Sequence, residues 1–171
     1  MKPLCRAVLC IGLVTLAGTA AALDYPPRKP GLWEMKIGET DAKTPPQVIQ
    51  QCIDAATDAA MRDMGQGMSK DMCSKQDMRN DGPRIVVDSV CKIGPSTATT
   101  HSVITGDFGS SYKMEMTSRY APALGGRTDA NTLIESRWLG PCKAGQKAGD
   151  MVMGNGMKMN VLDMMKGAPK K

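Results

Sequence analysis

Sulfur dominates the chemistry this sequence can offer. Fifteen methionines and six cysteines stand beside a single histidine, with only two Trp, three Tyr and one Phe. A thioether is a soft, neutral ligand that suits Cu(I). It is equally an adaptable filler of irregular cores. The sharpest pattern is Met151, Met153, Met157 and Met159, two M-x-M pairs around Gly154-Asn155-Gly156. A three-residue hairpin turning at that triplet would put all four on one face. Met114 and Met116 make a second M-x-M in a strand-like stretch. Neither group has a His or Cys beside it. The residue types therefore favour packing, with a Cu(I) site on the four tail methionines as the alternative. Nothing calls for an organic cofactor.

The cysteines point to oxidation. Cys5 and Cys10 lie in an N-terminal export segment, which leaves Cys52, Cys73, Cys91 and Cys142. An even number in an exported chain reads as two disulfides. A zinc site fits poorly, since no C-x-x-C occurs and His101 is remote from any paired cysteine spacing. Two connectivities stand open. Cys73 and Cys91 sit symmetrically about Gly82, so a hairpin could pair them and leave Cys52 with Cys142. Otherwise Cys52 joins Cys73 across a short helix, and Cys91 joins Cys142.

Nucleophilic catalysis finds little support. A hydrolase needs a base beside its nucleophile, and the one histidine lies in Thr99-Thr100-His101-Ser102. In a strand, Thr100 and Ser102 point away from His101. No carboxylate pair stands out for glycoside hydrolysis. There is no phosphate loop, dinucleotide fingerprint or H-E-x-x-H. A non-enzyme is the expectation.

The elements that would position these residues follow from periodicity. Lys2 and Arg6, the uncharged run from Ala7 to Ala17, and small residues ending at Ala20-Ala21-Ala22 form a signal peptide over residues 1–22, cleaved between Ala22 and Leu23. The run is too short to cross a bilayer, and Leu9 before Cys10 spoils a lipobox. The expected location is periplasmic or secreted, with no stable membrane anchor. Loss of Lys2 and Arg6 takes the net charge of +5 to about +3. That is too mild, and too dispersed, for a nucleic-acid footprint.

Residues 23–142 read as an antiparallel β domain, and 143–171 as a Met-rich tail with a hairpin and a helical turn capped by Asn160. Trp33, Met35 and Ile37 alternate with Glu34 and Lys36, predicting Trp33 buried and Glu34 exposed. Val48 to Ile53 is a second strand. Asp54 caps a short helix that Gly65 and Gly67 end. Met72 to Arg79 and Arg84 to Lys92 flank the turn Asn80-Asp81-Gly82-Pro83. Ser96 to Gly106 follows, and then Tyr112, Met114, Met116 and Tyr120 on one face of the clearest strand. Ala121 to Ala130 is expected as a loop, and Asn131 to Leu139 as the last long strand. The fold class is mainly β: an antiparallel meander forming a curved sheet or small barrel, with one short helix and a small C-terminal hairpin.

Pro30-Gly31-Leu32-Trp33-Glu34, the segment from Pro45-Pro46 to Gln51-Cys52-Ile53, and Cys73, Cys91 and Cys142 at strand ends together carry a resemblance. They resemble a secreted family of Gram-negative bacteria catalogued as a domain of unknown function, number 3617, from about Pro30 to Cys142. The resemblance implies a periplasmic location and a compact β domain. It brings no activity, cofactor or catalytic residue. The function expected is a binding or envelope-maintenance role, with a small apolar ligand or an envelope component as partner, held on a Met- and Tyr-lined inner face.

Overall fold

The computed structural model describes residues 24–40 and 43–167. The expected signal segment, with Ala22, Leu23, Cys5 and Cys10, lies outside the described residues. The elements are β1 (Gly31–Glu39), β2 (Gln47–Ile53), α1 (Ala55–Met72), β3 (Cys73–Asp81), β4 (Arg84–Ile93), β5 (Ser96–Asp107), β6 (Ser111–Leu124), β7 (Arg127–Gly140), β8 (Asp150–Met153), β9 (Lys158–Asn160) and α2 (Val161–Gly167). The strands form one antiparallel sheet in the order β3-β4-β5-β6-β7-β1-β2-β8-β9. It stays open, with β3 and β9 at its margins.

Alternation decides which face is inside. Trp33 is fully buried, and its cross-strand partners are Gln51 on β2 and Trp138 on β7. Along the same face run Ser136 and Tyr112, paired across β7 and β6, and Met114 and Ile104, paired across β6 and β5. The opposite face carries Glu34, Lys36, Lys113, Glu115, Glu135 and Arg137. Helix α1 packs against β2 and also against β3 and β4, although β5, β6, β7 and β1 lie between them in the order. The sheet therefore curls around α1, and the Trp33 face is its concave side.

The opening motif has a local cause at each residue. Gly31 has φ +136°, and a Cβ there would stand 2.4 Å from the Gly140 carbonyl oxygen, a backbone atom that cannot yield. Leu32 and Trp33 are buried, and the indole Nε1 donates to the Lys29 carbonyl at 2.8 Å. Glu34 is half-buried rather than exposed, because it accepts from Gln50 Nε2 at 3.1 Å and lies near Arg137.

Two boundaries differ from the sequence expectation. Helix α1 starts as expected, with Asp54 Oδ1 accepting from the Thr57 amide at 2.7 Å. It then continues through Gly65 and Gly67 to Met72. A helical glycine costs about 1 kcal/mol against alanine, which weakens a helix without ending it when packing and a tether hold the far end. Cys73, next after Met72, supplies the tether. The expected loop over Ala121–Ala130 is mostly strand. β6 runs to Leu124 and β7 starts at Arg127, so Gly125 and Gly126, both at positive φ, make a two-residue turn. The irregularity around Pro122 is absorbed as a register shift between Arg119 and Leu124.

Cys73 faces Cys91 across β3 and β4 and is bonded to it, and Cys52 is bonded to Cys142. Hairpin register thus selects between the two open connectivities. The chain after Cys142 returns to β2, where β8 pairs Met151 with Gln51 and Met153 with Ile49. Asn160 caps α2, its Oδ1 accepting from the Leu162 and Asp163 amides at 3.0 and 3.3 Å.

Candidate functional site

The curl leaves space between α1 and the concave face. From the helix, Asp58, Met61, Arg62, Gly65, Gln66 and Ser69 turn toward it, at the i, i+3, i+4 spacing of a single helix face. Tyr112 and Met114 from β6, Gln76 from β3 and Phe108 from the β5–β6 turn form the floor and one side. The arm before β1 supplies Tyr25, Pro26 and Arg28 as another wall. The result is an open cleft of about 380 Å³, within the size range of small-molecule sites.

Two features hold it open. One is Gly65, in the middle of the helix face, where an added Cβ would meet no atom within 4 Å. The other is the stitching of the arm. The Arg28 amide donates to Asp58 Oδ2 at 3.0 Å and its Nε to Oδ1 at 2.7 Å, with the two side chains only 10% and 2% exposed. Removing one partner of so buried a pair would cost about 3–5 kcal/mol, because the other charge would be stranded. Asp24 accepts from Arg62 and Gln66, and the Lys29 amide donates to the Phe108 carbonyl.

The cleft is apolar at one end and polar at the other. Phe108 stacks on Tyr112 with ring centroids 4.5 Å apart, and Tyr112 lies 5.8 Å from Trp33. Arg28, Asp58, Arg62 and Gln66 make the polar end. Burial, and secondarily Asp24, raise the Tyr25 phenol above its usual range, so it stays a neutral donor. Along the edge of the same helix face, Met64, Met68 and Met72 stand exposed at i, i+4 and i+8. Gln51 is fully buried and gives its Nε2 to the Met61 sulfur at 3.1 Å, while its Oε1 meets no donor among the described residues.

The residues singled out from sequence fall in three separate places. Met114 enters the cleft, and Met116 sits one rung further along the concave face. Met151, Met153, Met157 and Met159 lie on the tail hairpin: Met151 is opposite Met159, and the Met153 amide donates to the Met157 carbonyl at 2.9 Å. His101 is on the convex face, exposed, with Nδ1 2.6 Å from Asp88 Oδ1. Arg79 and then His101 hold the Asp88 carboxyl below its ordinary range. Thr100 turns to the other face, where its hydroxyl meets Ser118. Among the described residues, no group of three or more His, Cys, Asp or Glu is placed to hold a metal, and no helix is long and apolar enough to cross a membrane.

Sequence reasoning missed Arg28, Asp58, Gly65 and Phe108. The one available signal was Asp58, a charge four residues after the helix cap and four before Arg62.

A family described as "Protein of unknown function (DUF3617)" matches residues 28–142, more than half of the chain. No curated protein and no solved structure matches.

Proposed function

The chain belongs to the DUF3617 family, whose description assigns no activity, so the reading must rest on the cleft: we propose that this is an exported binding protein that holds a small, mainly apolar molecule between α1 and the concave face. The observation that carries it is the pairing of an apolar floor with a helix face emptied at Gly65. Filled cores do not keep that gap; protein interiors close to crystal-like density when side chains are free to do so. A ligand with an apolar body would lie on Phe108, Tyr112, Met61 and Met114, and its polar end would meet Arg62, Gln66 and the Tyr25 hydroxyl.

Export to the periplasm or beyond is part of the same reading, supported by the signal-type N-terminus and by two disulfides. A non-enzymatic role is supported by the place of the one histidine, exposed on the convex face away from the cleft with Asp88 as its hydrogen-bond partner.

Native mass spectrometry of protein purified from periplasm tests the reading, with an apolar fluorescent amine, N-phenylnaphthylamine, as a probe. Wild type should retain a bound mass or take up the probe, and Gly65→Leu should lose both while melting no lower than wild type. Equal probe uptake by wild type and Gly65→Leu would overturn the cleft as the site.

A further inference from the structure

We propose that the tail hairpin is a Cu(I) site built from four thioethers: Met151, Met153, Met157 and Met159. Packing was the competing reading, and packing requires burial. None of the four belongs to the buried core; Met157 is 51% exposed, and the other three are half-buried. A methionine left partly in water gains only part of the hydrophobic effect, and Met157 gains little, so a cluster of four outside the core needs another explanation.

The register is specific. Met151 faces Met159, and Met153 is bonded through its backbone to Met157. Residues two apart on a strand share a face, so Met151, Met153 and Met159 lie on one side, and Met157 closes the turn beside Met153, one residue before β9. Directly opposed side chains have Cβ atoms about 4.5–5.5 Å apart, and methionine has three rotatable bonds to bring its sulfur inward. Asp150, Val152, Lys158 and Asn160 alternate to the other side, which keeps charge off the sulfur face. A site of neutral soft donors, without carboxylate or imidazole, selects Cu(I) over Zn(II) or Cu(II). The four cysteines that could compete are tied up as disulfides.

The platform is fixed before any metal arrives. Asn155 Oδ1 accepts from the Met157 amide at 3.0 Å and sets the turn. At the base, Asn160 Nδ2 donates to Asp150 Oδ1 at 2.7 Å and to the Ala148 carbonyl. The Gly149 amide donates to the Cys52 carbonyl at 2.8 Å, and the Cys52–Cys142 bond anchors the segment to the strand it pairs with. Preorganisation of this kind reduces the ordering cost of binding.

The test is an anaerobic competition titration of Cu(I) against bicinchoninate, with ascorbate as reductant, on mature disulfide-intact protein. Wild type should withdraw one copper per chain. The variant carrying Met151→Leu, Met153→Leu, Met157→Leu and Met159→Leu should bind at least about tenfold more weakly, with an unchanged melting curve. Because four changes could disturb the hairpin, Met157→Leu/Met159→Leu at the outer strand serves as a second variant and should weaken binding in the same direction. Ag(I) as a redox-inert probe should move four methionine methyl resonances and leave Met61 and Met114 in place. Failure of wild type to hold copper against the chelator, equal affinity in wild type and both variants, or Ag(I) shifts spread over the cleft methionines would each overturn the site.

Discussion

Methionine gathers at two places in this molecule, under and beside α1 and on the hairpin of β8 and β9, and the company it keeps differs. In the cleft, Met61 and Met114 share their surroundings with Phe108, Tyr112 and a buried Arg28–Asp58 pair. On the hairpin, the four sulfurs have one another, bordered by Ile49 and Gln51 of β2. One residue type thus makes a shaped apolar surface in the first place and a row of donor atoms in the second. Neighbours, more than composition, assign the chemistry. Each region also has its own covalent tether: Cys73–Cys91 at the end of α1, and Cys52–Cys142 before the hairpin.

The largest effects should come from cutting those tethers. In the chain-entropy model, a cross-link over 90 residues contributes about 4–5 kcal/mol and one over 18 residues about 3 kcal/mol. Chemical denaturation of Cys52→Ala/Cys142→Ala and of Cys73→Ala/Cys91→Ala should rank in that order. Copper affinity should fall only in the first variant, and probe uptake only in the second. Loss of both functions in both variants would show that the two regions are one cooperative unit.

Trp33 lies where the regions meet, beside Gln51 on one side and Tyr112 on the other. Trp33→Ala should cost about 3–5 kcal/mol and impair both sites. Glu34→Ala, which loses a half-exposed hydrogen bond to Gln50, should cost about 1 kcal/mol. Thermal melts of the pair check this, and equal shifts would break the assignment of inner and outer faces.

A smaller effect with the opposite sign is expected at Gly65. Gly65→Ala should stabilise by about 0.5–1 kcal/mol, since the backbone is helical and the added methyl meets nothing. Its probe affinity should already decline. Gly67→Ala should give a similar gain with the cleft untouched, so the two alanines separate helix propensity from occupancy.

The smallest effect concerns acid. The Asp150 carboxyl is lowered first by the Lys147 amide and then by Asn160. A folded value below the unfolded one means stabilisation above the unfolded value, lost as pH falls through the folded one. The hydrogen-exchange protection factor at the hairpin base, taken against the intrinsic rate at each pH, should therefore fall in acid, below the ordinary aspartate range. Asp150→Asn should remove that pH dependence of the protection factor.

Much of this architecture was written in local pattern. The alternation from Trp33 to Ile37 and from Tyr112 to Tyr120 declared strands because one face of each is buried. Gly82 and the triplet Gly154-Asn155-Gly156 declared turns because the backbone there needs unusual angles or close approach. The tail hairpin register followed from its symmetry about Asn155. The cleft was not legible, for it arises from curvature that brings β3, β6 and α1 to one place. Arg28 and Asp58 are thirty residues apart, and no periodicity links an arm to a helix. Gly65 was misleading as well as silent: the same missing side chain that suggests a helix end instead makes room inside the fold.

An open sheet also has consequences beyond its own interior. Its two margins offer unpaired backbone, which in many β proteins invites further strands and templated fibril growth. Here β3 presents Lys75, Asp77, Arg79 and Asp81 along its outer course, with Arg79 held by Asp77 and Asp88. At the other end β9 is three residues long and passes at once into α2. Strand addition at the first margin would have to strip water from alternating charges, and at the second it would run into a helix. Charge at one margin and a helix at the other thus guard an open sheet against pairing with copies of itself.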